Sequence, residues 1–275
     1  MKINTDKAWD KVYTRIKEEQ LLVPEHDQKI RILAFTRKWV AGIAVLCICG
    51  MVIAYFIISK EKENTWLTVQ NQDILNTLVN TLEDGSIVFL KKGSTLSYPK
   101  HFTGEKRTVS FEGEAMFDIF PDQESPFLIE TKPVTVEVLG TTFDIISNGE
   151  ESFKLSVQNG TVKISLKNSM INAIVKAGES VQLESGQLHK TISGHEIYDL
   201  YTEKMDFKDE SLSNIIKVIN LICDKPVVLK NTDVAERKMT ISFSNNTPSD
   251  MIELLCIAMG LKYNDDGHTI WIDAE

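Results

Sequence analysis

The sequence is short of the residues that staple, punctuate and ligate. Its 275 residues include 4 cysteines, 7 prolines and 5 histidines. So few cysteines exclude a disulfide-built miniprotein, and so few prolines exclude a collagen-like chain. The histidines (His26, His101, His189, His195 and His268) never fall at metal-ligand spacing with cysteines or acids. Positive charge is also in deficit: 30 Lys and Arg stand against 39 Asp and Glu, a net charge of −9. A pI near 5.2 argues against nucleic acid as a partner, because phosphate binding needs a positive surface. Catalytic signatures are missing too. There is no G-x-S-x-G elbow, no P-loop and no G-x-G-x-x-G turn. Glu112 and Glu114 lie two apart on an expected strand and so share a face. That spacing suits paired-carboxylate chemistry but is far commoner on a solvated strand. Neither an enzyme nor a cofactor is implied. The 43% of hydrophobic residues exclude a disordered chain, and the length suits one to two domains.

The mean hydropathy of −0.11 looks soluble. That average hides one apolar run, residues 39–58, which carries no charge. As a helix it covers about 30 Å, the thickness of the bilayer's hydrocarbon. Trp39, Tyr55 and Phe56 stand near its ends, as interfacial aromatics do. A buried core helix would keep a polar stripe, and a cleaved signal peptide would be shorter and end at a small-x-small site. An uncleaved transmembrane anchor fits better. Residues 1–38 hold nine basic and six acidic side chains, a net of +3, which leaves −12 for the rest of the −9 chain. The positive-inside rule therefore puts the N-terminus in the cytoplasm and the bulk of the chain outside, in a bacterium the periplasm. Gly50 and Ala54 form a small-xxx-small pair of little weight.

The inner arm, 1–38, is too short to bury a core. Thr5-Asp6 starts an expected helix on which Ala8, Trp9, Val12, Tyr13 and Ile16 recur on one side. Such a helix lies on an anionic leaflet or docks in the groove of a cytoplasmic protein, and the acids Asp6, Asp10, Glu18 and Glu19 weaken the lipid reading.

Residues 59–200 read as an antiparallel β domain. Short β-branched and aromatic runs alternate with turns, as in a sandwich or barrel. Asp84-Gly85 between apolar arms predicts one hairpin, and Asn159-Gly160 between 153–158 and 161–166 predicts a second. Residues 201–275 contain a repeat. Phe207, the cap Ser211 and an apolar-faced helix are echoed by Phe243, the cap Thr247, Pro248 and a second helix. The expected order is β-α-β-β-α-β-β, two helices against one small sheet. Cys223 and Cys256 sit in the two helices, as core residues or as a disulfide. The fold class is thus mainly β plus α+β: a cytoplasmic helix, one transmembrane helix over 39–58, a periplasmic β domain and a small C-terminal domain.

Several motifs in order resemble the FecR family. Leu82-Glu-Asp-Gly-Ser-Ile-Val-Phe-Leu90, Ser94-Thr-Leu-Ser-Tyr-Pro99, Phe111-Glu-Gly-Glu-Ala-Met-Phe-Asp118 and Val138-Leu-Gly-Thr-Thr-Phe-Asp144 resemble its periplasmic domain. The tail is similar to the family's C-terminal domain, itself similar to the short signalling domain of secretins and TonB-dependent receptors. The resemblance implies an inner-membrane anti-sigma factor. Its inner arm would bind an extracytoplasmic-function sigma factor through Trp9, Val12, Tyr13 and Ile16. Its outer part would sense the signalling domain of a TonB-dependent outer-membrane receptor. The chain departs from the family in lacking the longer helical region usual before the Ala8-Trp9 segment. Some members cleave themselves at a Gly-Thr bond. Gly140-Thr141 and Gly160-Thr161 offer that chemistry, or the glycines serve turns. The competing reading is a membrane-anchored binding or structural protein without sigma-factor contact.

Overall fold

The computed structural model describes residues 5–19, 47–51, 65–167, 169–192 and 197–274. The chain divides into two units, Met1–Glu63 and Asn64–Glu275. In the first, helix α1 spans Thr5–Glu18, with Arg15 and Lys17 in its last turn, where cations complement the helix dipole. Residues 47–51 are also helical, and the rest of the expected span over 39–58 lies outside the described residues. Among the described residues no helix is long and apolar enough to cross a membrane.

The second unit is built on strands. The first thirteen are β1 (Trp66–Gln70), β2 (Thr77–Thr81), β3 (Ile87–Leu90), β4 (Thr95–Pro99), β5 (Arg107–Asp118), β6 (Phe127–Glu130), β7 (Val134–Val138), β8 (Thr142–Ser147), β9 (Phe153–Asn159), β10 (Thr161–Leu166), β11 (Asn172–Lys176), β12 (Glu179–Glu184) and β13 (Gln187–Ile192). They form two sheets. The first runs β1-β4-β5-β6-β7-β10-β11. The second runs β13-β12-β9-β8-β5-β3-β2. Strand β5 belongs to both and bends between them at Gly113. A Cβ there would lie 2.5 Å from Ser94 Cα, and φ is +123°, so only glycine fits. Ser94 uses that closeness. Its hydroxyl donates to the Glu114 carbonyl at 2.7 Å and accepts from the Glu114 amide at 2.9 Å. Alternating apolar residues of both sheets fill the space between them. Phe117 stacks on Phe143 at 5.6 Å and meets Phe111 edge-on at 5.2 Å.

Two expectations about pairing fail. Asp84-Gly85 does close a hairpin between β2 and β3. Asn159-Gly160 does not: β9 pairs with β8 and β12, while β10 pairs with β7 and β11. Alternation on both arms is satisfied equally when each arm covers the same core from a different sheet. Nor is the domain wholly antiparallel. Strands β5 and β6 run parallel, because the 119–126 connection carries the chain back to the start of β5.

The C-terminal elements follow in the expected order, after one short helix the sequence reading did not include and with a 3-10 turn at Thr232–Val234. They are helix α2 (Ile197–Thr202), β14 (Lys204–Ser211), α3 (Leu212–Ile222), β15 (Val227–Leu229), β16 (Lys238–Ser244), α4 (Pro248–Met259), β17 (Leu261–Asp265) and β18 (Ile270–Ala274). Ser211 caps α3, and Thr247 with Asp250 forms a capping box on α4 with Pro248 in its first turn. The single small sheet is replaced by two. β15, β18 and β17 form one. β14 and β16 instead extend the second sandwich sheet, β14 lying parallel to β2. The reason is a shared core: Val79, Ile87, Phe89 and Met116 of the sandwich pack with Met205, Phe207, Ile215, Ile219, Phe243 and Leu255.

Candidate functional site

The face of α1 is the first candidate. Trp9, Val12 and Tyr13 are 70%, 48% and 68% exposed, and Ile16 is half-buried. Positions i, i+3, i+4 and i+7 meet on one side of a helix, so the four expected residues share a face. Trp9 and Tyr13 thus stand in water one helical turn apart.

The second candidate is on the C-terminal module. Helix α4 buries Met251, Ile252, Leu255 and Cys256 and leaves Leu254 and Ile257 outside. It packs on β17, which among the described residues pairs only with β18 and leaves its other edge without a strand. Tyr263 on that strand is exposed as well. A free strand edge beside apolar side chains suits strand addition, in which backbone hydrogen bonds give affinity and side chains give specificity.

Between this module and the sandwich lies a polar seam that sequence reasoning missed. Asn76 Nδ2 donates to Asp206 Oδ1 at 2.9 Å, and the Thr81 amide donates to Glu210 Oε2 at 3.4 Å. Helix α2 covers the outer face of the second sheet with two tyrosines. The Tyr198 hydroxyl donates to Asp118 Oδ1 and the Tyr201 hydroxyl to Glu114 Oε1, each at a long 3.5 Å. Lys91 lies 4.7 Å above the Tyr201 ring and donates to the Leu200 carbonyl. Burial pushes the Tyr198 hydroxyl up to about 12 and raises Tyr201 too, while it lowers Lys91. Burial also raises Asp144, whose Oδ1 has no hydrogen-bond partner among the described residues. The only signal in the sequence was the placing of acids outward on strands that otherwise read as core. Glu112 and Glu114 do not act as a pair: Glu112 meets Lys132 at 2.5 Å on the first sheet, and Glu114 faces Tyr201.

The two Gly-Thr bonds come together at one end of the sandwich. A Cβ on Gly160 would lie 2.9 Å from both the Gly140 carbonyl oxygen and Thr141 Oγ1. Pro121 fills the place a Cβ on Gly140 would take. Close backbone approach therefore requires both glycines. Thr141 is buried and its hydroxyl donates to the Thr161 carbonyl at 3.2 Å. Gly140, Thr141 and Thr161, with Gln123, Glu137, Lys163 and Ile174, line a hollow of about 400 Å³. Cys223 and Cys256 are free thiols, and burial pushes Cys256 up to about 11. Among the described residues no group of His, Cys, Asp and Glu converges as metal ligands would.

Comparison with known proteins accords with the motifs. The family model described as FecR protein matches residues 77–163, and the one described as FecR, C-terminal matches residues 204–272. No curated protein matches the sequence. Two crystal structures of a candidate anti-sigma factor from Parabacteroides distasonis align with a TM-score of 0.45 and 22% identity, over 77% of this chain and 99% of that one. The two family matches together take in more than half of the chain, in the order its motifs resemble, and the chain belongs to the FecR family.

Proposed function

We propose that the chain is an anti-sigma factor that spans the bacterial inner membrane once through residues 39–58, with its N-terminus in the cytoplasm and its bulk in the periplasm. It relays a signal from the signalling domain of a TonB-dependent outer-membrane receptor to an extracytoplasmic-function sigma factor. The observation that carries this reading is the exposed apolar face of α1 on the basic arm of a chain whose acidic body holds both FecR modules. Trp9, Val12, Tyr13 and Ile16 are the sigma-factor contacts. Leu254, Ile257 and the free edge of β17 are the receptor contacts. Because β14 is hydrogen-bonded to β2, engagement of the C-terminal module strains the sandwich through that strand pair.

The test is co-purification of the full chain, in detergent, with the sigma factor encoded beside it. Association at micromolar concentration is expected, and Trp9→Asp with Ile16→Asp should abolish it. No association by the wild type sinks the anti-sigma reading. Ile257→Asp should lose the receptor domain and keep the sigma factor.

A second reading, a membrane-anchored binding protein without sigma-factor contact, is favoured by the open polar face of the first sheet. It predicts that the Trp9 and Ile16 changes leave transcription unaltered.

A further inference from the structure

Of the sandwich's aromatic side chains, only Trp66 and Phe120 are exposed among the described residues, at 50% and 56%. Both lie at one end of it, the end at which the chain enters. Trp66 begins β1 opposite Pro99, the last residue of β4, and the Thr65 carbonyl before it accepts from the Lys100 amide at 2.9 Å. Ser97 stands opposite Ser110, so β4 ends beside the start of β5 at Arg107. The Arg107 guanidinium in turn donates to the Phe120 carbonyl, and the Asp122 amide donates to the Leu139 carbonyl at 2.7 Å. Leu67 and Leu139 are exposed there as well. The exposed aliphatics Ile74 and Leu75 stand at the opposite end, beyond the close of β1 at Gln70.

The length of chain leading to this end decides what it meets. On the transmembrane reading of residues 39–58, on which this inference rests, the seven residues 59–65 join the span to β1. Seven residues reach at most about 25 Å, and a flexible chain of seven averages about 15 Å. Lipid headgroups alone fill about 5–8 Å outside the hydrocarbon. The bilayer is thus the surface nearest to Trp66. So short a tether presents it at an effective concentration in the millimolar range, so a weak contact suffices. A free periplasmic partner has no such advantage. The chemistry fits too. Tryptophan joins an apolar ring to one N–H donor and concentrates at membrane–water interfaces. Charges at this end are paired: His101 Nδ1 lies 2.9 Å from Glu83 Oε1, and Lys106 Nζ lies 3.2 Å from Glu137 Oε2. The contact therefore depends on the apolar side chains and needs no anionic lipid. We propose that this end of the sandwich rests on the outer leaflet of the inner membrane, with Trp66 and Phe120 in the headgroup layer. The end that carries Ile74 and Leu75 then faces away from the bilayer.

The experiment reads Trp66 in the full chain, inserted into phosphatidylcholine vesicles with or without bromine on the acyl chains near the headgroup. Trp66→Phe is measured in parallel, and the difference between the two chains isolates the emission of Trp66. That emission is expected to lie to the blue of water-exposed tryptophan and to be quenched by the bromine. Phe120→Ser should weaken the quenching, and Leu75→Ser, at the opposite end, should leave it unchanged. Should Phe120→Ser fail to melt cooperatively, Leu139→Ser carries the same comparison. Alkaline carbonate separates the two readings. A chain that carbonate releases from the vesicles overturns the transmembrane reading and this proposal with it. A chain that stays inserted with Trp66 unquenched overturns the docking alone, as does quenching undiminished in the folded serine variant.

Discussion

Arg107 Nη1 lies 2.7 Å from Asp84 Oδ2, and the two side chains are only 4% and 12% exposed. The same guanidinium donates to the carbonyls of Phe120 at 3.0 Å and Ser125 at 2.9 Å, and lies 5.3 Å from the Phe127 ring centroid. One cation thus ties the β2–β3 hairpin to the connection that makes β5 and β6 parallel. Removing one partner leaves the other charge buried and alone. Arg107→Ala should cost about 3–5 kcal/mol, read as a shift of the urea midpoint.

Phe207 joins the C-terminal module to the sandwich. It is fully buried, meets Phe243 edge-on at 5.9 Å and shares a core with Val79 and Phe89. Phe207→Ala should cost about 3–5 kcal/mol. Hydrogen exchange should quicken in β2 and β3 as well as in β14 and β16. Protection unchanged in β2 and β3 would mean that the modules are energetically separate.

Gly113 sets the bend of β5. Alanine there meets backbone at 2.5 Å in an unfavourable φ region. Gly113→Ala should lose at least about 2 kcal/mol, whereas Gly178→Ala, strained but facing open space, should lose less. Thermal melts of the pair decide the point.

Asp144 gives the fold a pH dependence of known sign. Burial raises its pKa in the folded chain, so the folded state holds a proton that the unfolded state releases. Its contribution is fully present below the unfolded carboxylate value and is lost as pH rises through the raised one. Asp144→Asn should therefore stabilise the protein at pH 7 by about 1 kcal/mol. It should also flatten the fall in melting temperature as pH rises above the ordinary carboxylate value of 3.8.

The buried Cys256 thiol, held near 11, carries little thiolate at neutral pH. Iodoacetamide should leave it unmodified in the native protein and label it in urea. Non-reducing mass spectrometry should find no Cys223–Cys256 bridge.

Local features were legible in the sequence because their causes are local. Ser211, Thr247 and Pro248 start helices by satisfying nearby amides, and Asp84-Gly85 turns a hairpin within its own four residues. The shared face of Trp9, Val12, Tyr13 and Ile16 follows from helical spacing alone. The polar seam was not legible, since Tyr201 and Glu114 are 87 residues apart and neither carries a pattern that names the other.

The sequence by itself determined the alternation that turns strand residues toward a core, where α1, α3 and α4 begin, and how the charge divides between arm and body. Only the tertiary structure decided which strands are neighbours. It parted β9 from β10, carried β5 across two sheets and joined β14 to β2. The physical reason is that every residue but proline offers the same backbone donor and acceptor, so alternation fixes a face and leaves the partner free. The partner is chosen by what the two faces bury together. Here that was a second core, which Phe89 and Met116 could complete only with Phe207 and Ile215.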